Sequence, residues 1–401
     1  MSLGAGPCED RVEIVDALRG LALFGILLAN ILVFSGWVFP PPDHRVALAG
    51  VDGALWQERL HHFFVDGKFY TIFSMLFGAG FALQLQRLTN RGVDGLRIYR
   101  RRILILLAIG LVHEWLIWDG DILVLYALLG LVLPFFHRLA DRVLLVTAAV
   151  LIFVVPFAGI ALVKAMNWPP DLGFFALSDR VAIALGGTPA DPIAWISRPD
   201  FQARFSWIAS GPIYAWGLKL MSWRIPKVLG IMLVGVWLGR RLADGRLPGN
   251  RVFLWRVLAI GLSIGVPANI FYARTAGLGQ SDWPSLIGTV PMAFAYAAGF
   301  ALAWPHAQRW LGVLAAPGRM ALTNYLAQSV ICVVVFYGFA LGQVGKWPPP
   351  GLYGFAVLLF AAQTAFSHRW LARHTRGPME FLWRRWTYAG VQRMTAASAP
   401  A

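Results

Sequence analysis

About ten apolar runs, most of them near the roughly 20 residues that cross 30 Å of hydrocarbon as a helix, make up most of this chain. In the first half they are Ala17–Phe39, Phe63–Gln86, Ile103–Trp118, Ile122–Phe136 and Val143–Val163. In the second they are Val228–Leu238, Val252–Tyr272, Leu286–Trp304, Met320–Leu341 and Leu352–Trp370. The runs are continuous rather than alternating, and in lipid only helices or closed barrels satisfy every backbone N–H and C=O, so each is predicted to be a membrane helix. The expected architecture is an all-α polytopic bundle in one integral-membrane domain. Residues 17–163 form a five-helix N-terminal half, 164–227 an insert, and 228–388 a five-helix C-terminal half. Within the insert, Pro169, Pro170, Pro189, Pro192, Pro199 and Pro212 argue against one long helix. Pro40 to His62 reads as a loop. The tryptophan-rich stretch 205–223 is predicted to lie at the interface or to re-enter, because a span there would turn Arg240, Arg241, Arg246 and Arg251 outward.

Composition and charge add an orientation. The 401 residues are 58% hydrophobic and 14% charged, against about 25% charged for soluble domains. Mean hydropathy is +0.61. The net charge of +15 is concentrated in short loops: Arg87, Arg91, Arg97 and Arg100–Arg102, then Arg138 and Arg142, and a tail from Arg369 to Arg393. The positive-inside rule places these loops and both termini in the cytoplasm. It makes anionic headgroups their expected partner and argues against nucleic acid. Cys8 and Cys332 suggest no disulfide, and no Cys/His spacing suggests a metal. The first run is too long for a secretory signal and is expected to be retained.

Ionisable residues inside such runs cost roughly 3 kcal/mol on insertion scales and mark function by default. His113 and Glu114 are the sharpest case, some ten residues into the third run, near mid-membrane at about 1.5 Å per residue. Adjacent residues point about 100° apart, so His113 is the candidate general base and Glu114 a substrate contact or a packing charge. Asp121, closing the Asp119-Gly120-Asp121 turn, either orients the imidazole or caps the next helix. Tyr126, little more than one turn deeper, can face the same cavity. His61 and His62 sit at the mouth of the second run, a place suited to proton transfer, and Lys68 can snorkel there. Asn30 is polar near mid-bilayer, and Asp16 and Arg19 can pair one turn apart. In LTNYLAQS, Asn324 and Gln328 share a face beside Tyr325; such a face glues helices or lines a cavity. Gly78 and Gly80 read as close helix packing.

Five stretches carry a family resemblance: DALRG (16–20) with Asn30, KFYTIFSMLFGAGFA (68–82), GLVHEWLIWDGDILVLYALLG (110–130), GRMALTNYLAQS (318–329) and GPMEFLWRRWTY (377–388). In this order, over nearly the whole chain, they resemble the YeiB family of bacterial inner-membrane proteins, whose C-terminal region is a domain of unknown function. The resemblance implies a multi-pass protein of the bacterial cytoplasmic membrane. That family is similar, more remotely, to transmembrane acyltransferases such as heparan-α-glucosaminide N-acetyltransferase, here through Asp16, Arg19 and Asn30. This similarity implies transfer of an acyl group from cytoplasmic acyl-CoA, such as acetyl-CoA, to a hydroxyl or amine of a small-molecule or glycan acceptor on the far side. It also implies that a homodimer is the assembly to look for. The acyltransferase histidine falls closest to His61 and His62, at a longer spacing; His113 belongs to the YeiB pattern itself and ranks first. The implied site has His113 as base oriented by Asp121, Asn30 or Tyr126 on the oxyanion, and Arg19 with the arginines of 87–102 on the CoA phosphates. A transporter or flippase using His113, Glu114 and Asn30 is the alternative, and a non-catalytic scaffold a third.

Overall fold

The apolar runs fold as helices, and no strand occurs among the described residues. The computed structural model describes residues 13–39, 42–244, 250–275 and 277–389; Cys8, Arg246 and Arg393 lie outside them. The first half holds α1 (Glu13–Phe34), α2 (Pro42–Leu60), α3 (Lys68–Thr89), α4 (Gly95–Val112), α5 (Leu123–Val132), α6 (Asp141–Ala149) and α7 (Val155–Ala165). Next come α8 (Phe174–Ala184), α9 (Pro192–Ser197), α10 (Phe201–Met221), α11 (Arg224–Ala243), α12 (Arg251–Arg274) and α13 (Trp283–Leu311). The chain closes with α14 (Ala315–Arg319), α15 (Ala321–Phe336), α16 (Pro349–Leu371) and α17 (Pro378–Tyr388).

Among the described residues, six helical segments are long and apolar enough to cross a membrane, or seven if α10 and α11, bent by 68°, count as one. That is fewer than the ten the runs predict. Some of the difference lies at α5 and α15, which are short, and at α4, whose first half carries Arg97, Arg100, Arg101 and Arg102. In the segments Asp141–Ala165 and Arg251–Arg274 only 22% of the apolar window is buried inside the protein. Contiguous apolar surface on that scale marks a face that meets a membrane or another protein.

Two expectations are corrected. Pro40–His62 is not a loop: α2 fills it from Pro42, kinked at Gly50 (φ 71°), and a π-turn over His61–Val65 follows it. Pro42 is compatible with this because a proline in the first helical turn sacrifices no intrahelical bond. His113 is not near mid-helix. The Asp94 side chain accepts from the Arg97 N–H and starts α4 at Gly95, eight residues before the expected Ile103. His113 therefore lies about 27 Å from the start of its helix. The π-turn His113–Ile117 that continues α4 ends only four residues later. The imidazole belongs to the end of the bundle opposite the arginine-rich loop.

The insert does contain one long helix. The Asp200 carboxylate caps α10 by accepting from Ala203 N–H (2.8 Å), and the Arg198 guanidinium grips it at 2.9 and 3.2 Å. The Ala203 N–H, followed by Arg198, holds the Asp200 carboxyl below its usual range. Pro212 sits inside α10 without ending it. At Ser222 and Trp223 the chain turns, Trp223 taking a left-handed conformation (φ 52°), and α11 departs.

α11 runs parallel to α3 at backbone contact. A Cβ at Gly235 would sit 2.1 Å from the Met75 carbonyl, one at Gly239 2.6 Å from that of Ala79, and one at Gly78 2.0 Å from that of Met232. Gly80 has no such neighbour. A parallel pair brings Lys68 and Lys227 level at the two N-terminal ends. At the other end Arg240 and Arg241 bind Asp141 at 3.0 and 2.8 Å.

Two of the family stretches meet in the same way. A Cβ at Gly318 would fall 1.8 Å from the Asp16 carbonyl, and one at Gly20 2.1 Å from that of Leu314, so DALRG and GRMALTNYLAQS pack backbone to backbone. Glu380, from GPMEFLWRRWTY, caps α15: its carboxylate accepts from Leu322 N–H (2.7 Å), Thr323 N–H (3.0 Å) and Thr323 Oγ1–H (2.6 Å). Glu380→Ala is expected to destabilise the protein by about 1–2 kcal/mol. Faster amide exchange confined to the first turn of α15 would show it, and unchanged protection there would refute the cap.

Candidate functional site

A buried carboxylate and a buried imidazole are tolerated when each polar atom finds a partner. His113 and Asp121, each 1% exposed, form such a pair: Nδ1 lies 2.8 Å from Asp121 Oδ1. Asp121 Oδ2 accepts from Val124 N–H at 2.7 Å, so the carboxylate both orients the ring and starts α5. An ionised carboxylate only accepts, so in the neutral ring the proton sits on Nδ1 and Nε2 keeps the lone pair. Nε2 has no hydrogen-bond partner among the described residues. Neither has Trp118 Nε1, and the two ring centroids are 6.5 Å apart, edge to face. Trp118 stacks on Phe34 of α1 at 4.0 Å. The Tyr325 ring lies 5.2 Å from His113, its hydroxyl accepting from Ile122 N–H at 3.3 Å. One bare acceptor and one bare donor thus stand in neighbouring rings, both buried.

α10 clamps this turn from the side. Arg204 donates to the carbonyls of Leu116 (3.3 Å) and Ile117 (2.7 Å), a cation on the last carbonyls of a helix. Trp207 Nε1 donates to Asp119 at 3.2 Å. Lys219 forms an ion pair with Glu114 at 3.1 Å, both 3% exposed or less. Glu114 is thus engaged by α10, while its neighbour His113 pairs with Asp121.

The remaining candidates are distributed differently. Asn30 lies one turn before Phe34 on the same face of α1, half-buried. Arg19 pairs with Asp16 at 2.7 Å. Tyr126 is not brought to His113: its hydroxyl lies 2.7 Å from Ser74 Oγ and donates to the Tyr70 carbonyl at 3.0 Å, both on α3. Asn324 donates to Ser367 (3.0 Å), Gln328 to Gln363 (2.9 Å), and Gln363 back to the Asn324 carbonyl (2.9 Å). These amides join α15 to α16 and are satisfied there; Tyr325 alone of that trio reaches the imidazole.

His61 and His62 belong to a second polar cluster. His62 Nδ1 is 3.3 Å from Asp66, with Glu58 at 3.8 Å from Nε2. His61 Nδ1 is 3.2 Å from the Tyr353 hydroxyl. Asp66 also accepts from Tyr272 O–H at 2.5 Å and from the Gln280 amide, and Lys68 donates to the His62 carbonyl. Among the described residues no three His, Cys, Asp or Glu side chains converge as a metal set.

Sequence reasoning passed over Trp118, Arg204, Trp207, Lys219, Asp66 and Glu380. Lys219 carried a usable signal, a lone cation in an apolar stretch that needs an acid as much as Glu114 needs a base. Trp118 carried none, because a tryptophan at a helix end is ordinary in a membrane protein.

The helices, the lipid-facing surface and the buried polar turn define a polytopic α-helical membrane protein with a charged, ordered site at one end. A family model described as "Protein of unknown function (DUF418)" matches residues 238–390. The chain is 31% identical over 401 residues to "Uncharacterized protein YxaH" of Bacillus subtilis, covering 96% of each. It is also 31% identical over 411 residues to "Uncharacterized protein YeiB" of Escherichia coli, covering 94% of this chain and 96% of that one. A protein of Bacillus acidopullulyticus described as an "Uncharacterized 39.9 kDa protein in amylase 3'region" is 29% identical over 387 residues. The chain belongs to the YeiB/DUF418 family.

Proposed function

We propose that the protein is an acyltransferase of the cytoplasmic membrane, its arginine-rich face and both termini inside and the His113 turn at the far side. The observation that carries this reading is the His113–Asp121 pair with Nε2 left bare beside the Trp118 N–H. An acceptor hydroxyl or amine gives its proton to Nε2 while its oxygen or nitrogen attacks the thioester carbonyl. The new C–O or C–N bond forms, the C–S bond breaks, and the thiolate leaving group takes the proton back from Nε2. Trp118 Nε1–H, with Asn30 one turn below Phe34, is the donor suited to the developing oxyanion. Tyr126 is not, since its hydroxyl already donates to Tyr70.

The donor's phosphates suit the opposite face. Arg102 bonds Gln84 at 3.0 Å and lies 4.2 Å over the Trp383 ring of α17. A cavity of about 400 Å³ opens there between Arg101, Leu104, Ile105, Ala108, Trp386 and Ala389. From Arg101 to His113 the helix rises about 18 Å, which the acyl-bearing arm has to cover. Because the His113 ring is buried, turnover further requires that the packing of Trp118 and Tyr325 against it open. Purified protein in detergent, supplied with a series of acyl-CoA donors, is expected to release free thiol and to do so faster with amine or sugar acceptors. Silence across every donor would sink the acyltransferase and leave the buried Glu114–Lys219 pair as the starting point for transport, read as proton-coupled uptake in vesicles.

A further inference from the structure

The parallel packing of α3 on α11 gathers positive charge with little to balance it. Lys68 opens α3 and Lys227 lies in the first turn of α11, 0% and 3% exposed. Arg224 is the first residue of α11. Both helices also present the positive ends of their dipoles here, over 22 and 20 residues. Against three cations stands Asp66, which is occupied by Tyr272, Gln280 and His62. Among the described residues, none of the three cations forms a salt bridge.

Their hydrogen bonds are correspondingly thin. Among the described residues Lys227 has only the Gln280 carbonyl, at 3.5 Å, the limit of a real bond. Arg224 donates one N–H to Gln280 Oε1 at 2.7 Å, while its buried Nε has no partner. One neutral residue on the α12–α13 connection therefore supplies the oxygens for both cations. Burying ammonium groups without an anion is unfavourable, and a planar guanidinium with a free edge is shaped for an oxyanion.

We propose that the N-terminal ends of α3 and α11 form a binding site for a phosphate group, held by Lys227, Arg224 and Lys68, with Gln280 as the neutral plug that the phosphate displaces. Three basic side chains against one carboxylate leave an excess of positive charge, and the several oxygens of a phosphate, monoester or diester, can meet more than one of them at once. The phosphate can belong to a soluble monoester or to an anionic lipid headgroup. The site is separate from the His113 turn and does not depend on acyl transfer.

The test uses the full chain. Glycerol phosphate is titrated in dodecyl maltoside micelles, and separately the protein is placed in nanodiscs of phosphatidylglycerol or of phosphatidylcholine; thermal unfolding is the readout. A saturable rise in melting temperature with glycerol phosphate assigns a soluble ligand, and one with phosphatidylglycerol alone a lipid headgroup; either supports the site. Lys227→Gln should weaken the response about tenfold or more, and so should Arg224→Gln. Should Lys227→Gln fail to fold, Arg224→Gln reads the same quantity. No saturable shift from either source, or a response in Arg224→Gln equal to wild type, would overturn the proposal.

Discussion

Asp121→Asn is expected to lower the proposed acyl transfer by about 10²–10⁴-fold, the range a positioned proton-transfer group contributes, while leaving the melting temperature close to wild type. The carboxylate is the reason Nε2 carries a lone pair. An asparagine of the same volume can present its NH₂ to Nδ1 instead, which moves the ring proton to Nε2 and leaves the acceptor's proton nowhere to go. Its remaining polar atom still faces Val124 N–H. His113→Ala should lose a similar fraction of rate, but it strands a buried carboxylate oxygen and costs about 1–3 kcal/mol besides. Comparing thiol release with thermal stability in the two variants separates the roles. If Asp121→Asn turns over at the wild-type rate, His113 is not the base.

Lys219→Met should be the most destabilising single change in the site, by about 3–5 kcal/mol, because it leaves the Glu114 carboxylate buried without its counter-charge. Both partners sit inside the protein at 3.1 Å, so solvent screening offers little relief. Glu114→Gln combined with Lys219→Met removes the uncompensated charge and should recover most of the loss, as buried pairs replaced together often do. The Lys219 ammonium also lies 4.8 Å over the Trp216 ring, so recovery is expected to be incomplete. Denaturation in detergent of the two single variants and the double gives the coupling energy. Simple additivity would show that the pair does not hold α10 against the His113 turn, leaving Arg204 and Trp207 as its anchors there.

Several features were legible before any coordinates. The helical class follows from runs of about 20 apolar residues, since no other open structure satisfies its backbone in lipid. The pairing of Asp16 with Arg19 follows from helical spacing, as does the shared face of Asn324 and Gln328. Errors arose where a local rule met a tertiary partner. Four arginines masked the start of α4, because a charged stretch reads as loop although Asp94 caps it as helix. The helix at 205–223 was legible, but the prolines hid its extent: α10 runs 21 residues from Phe201 and persists across Pro212.

What the sequence by itself determined, then, is the set of polar groups that hydrocarbon forces to find partners, and the class of fold that can hide them. Which partner each group takes was decided only when the helices packed. His113 meets Asp121 across a turn, Glu114 meets Lys219 over a separation of 105 residues, and Gln328 meets Gln363 rather than a cavity. The physical reason is that period and hydropathy give each residue a face and a depth, while the partner depends on which helices touch. That is set by backbone contacts such as Gly235 on Met75 and Gly318 on Asp16, made between segments far apart in the chain.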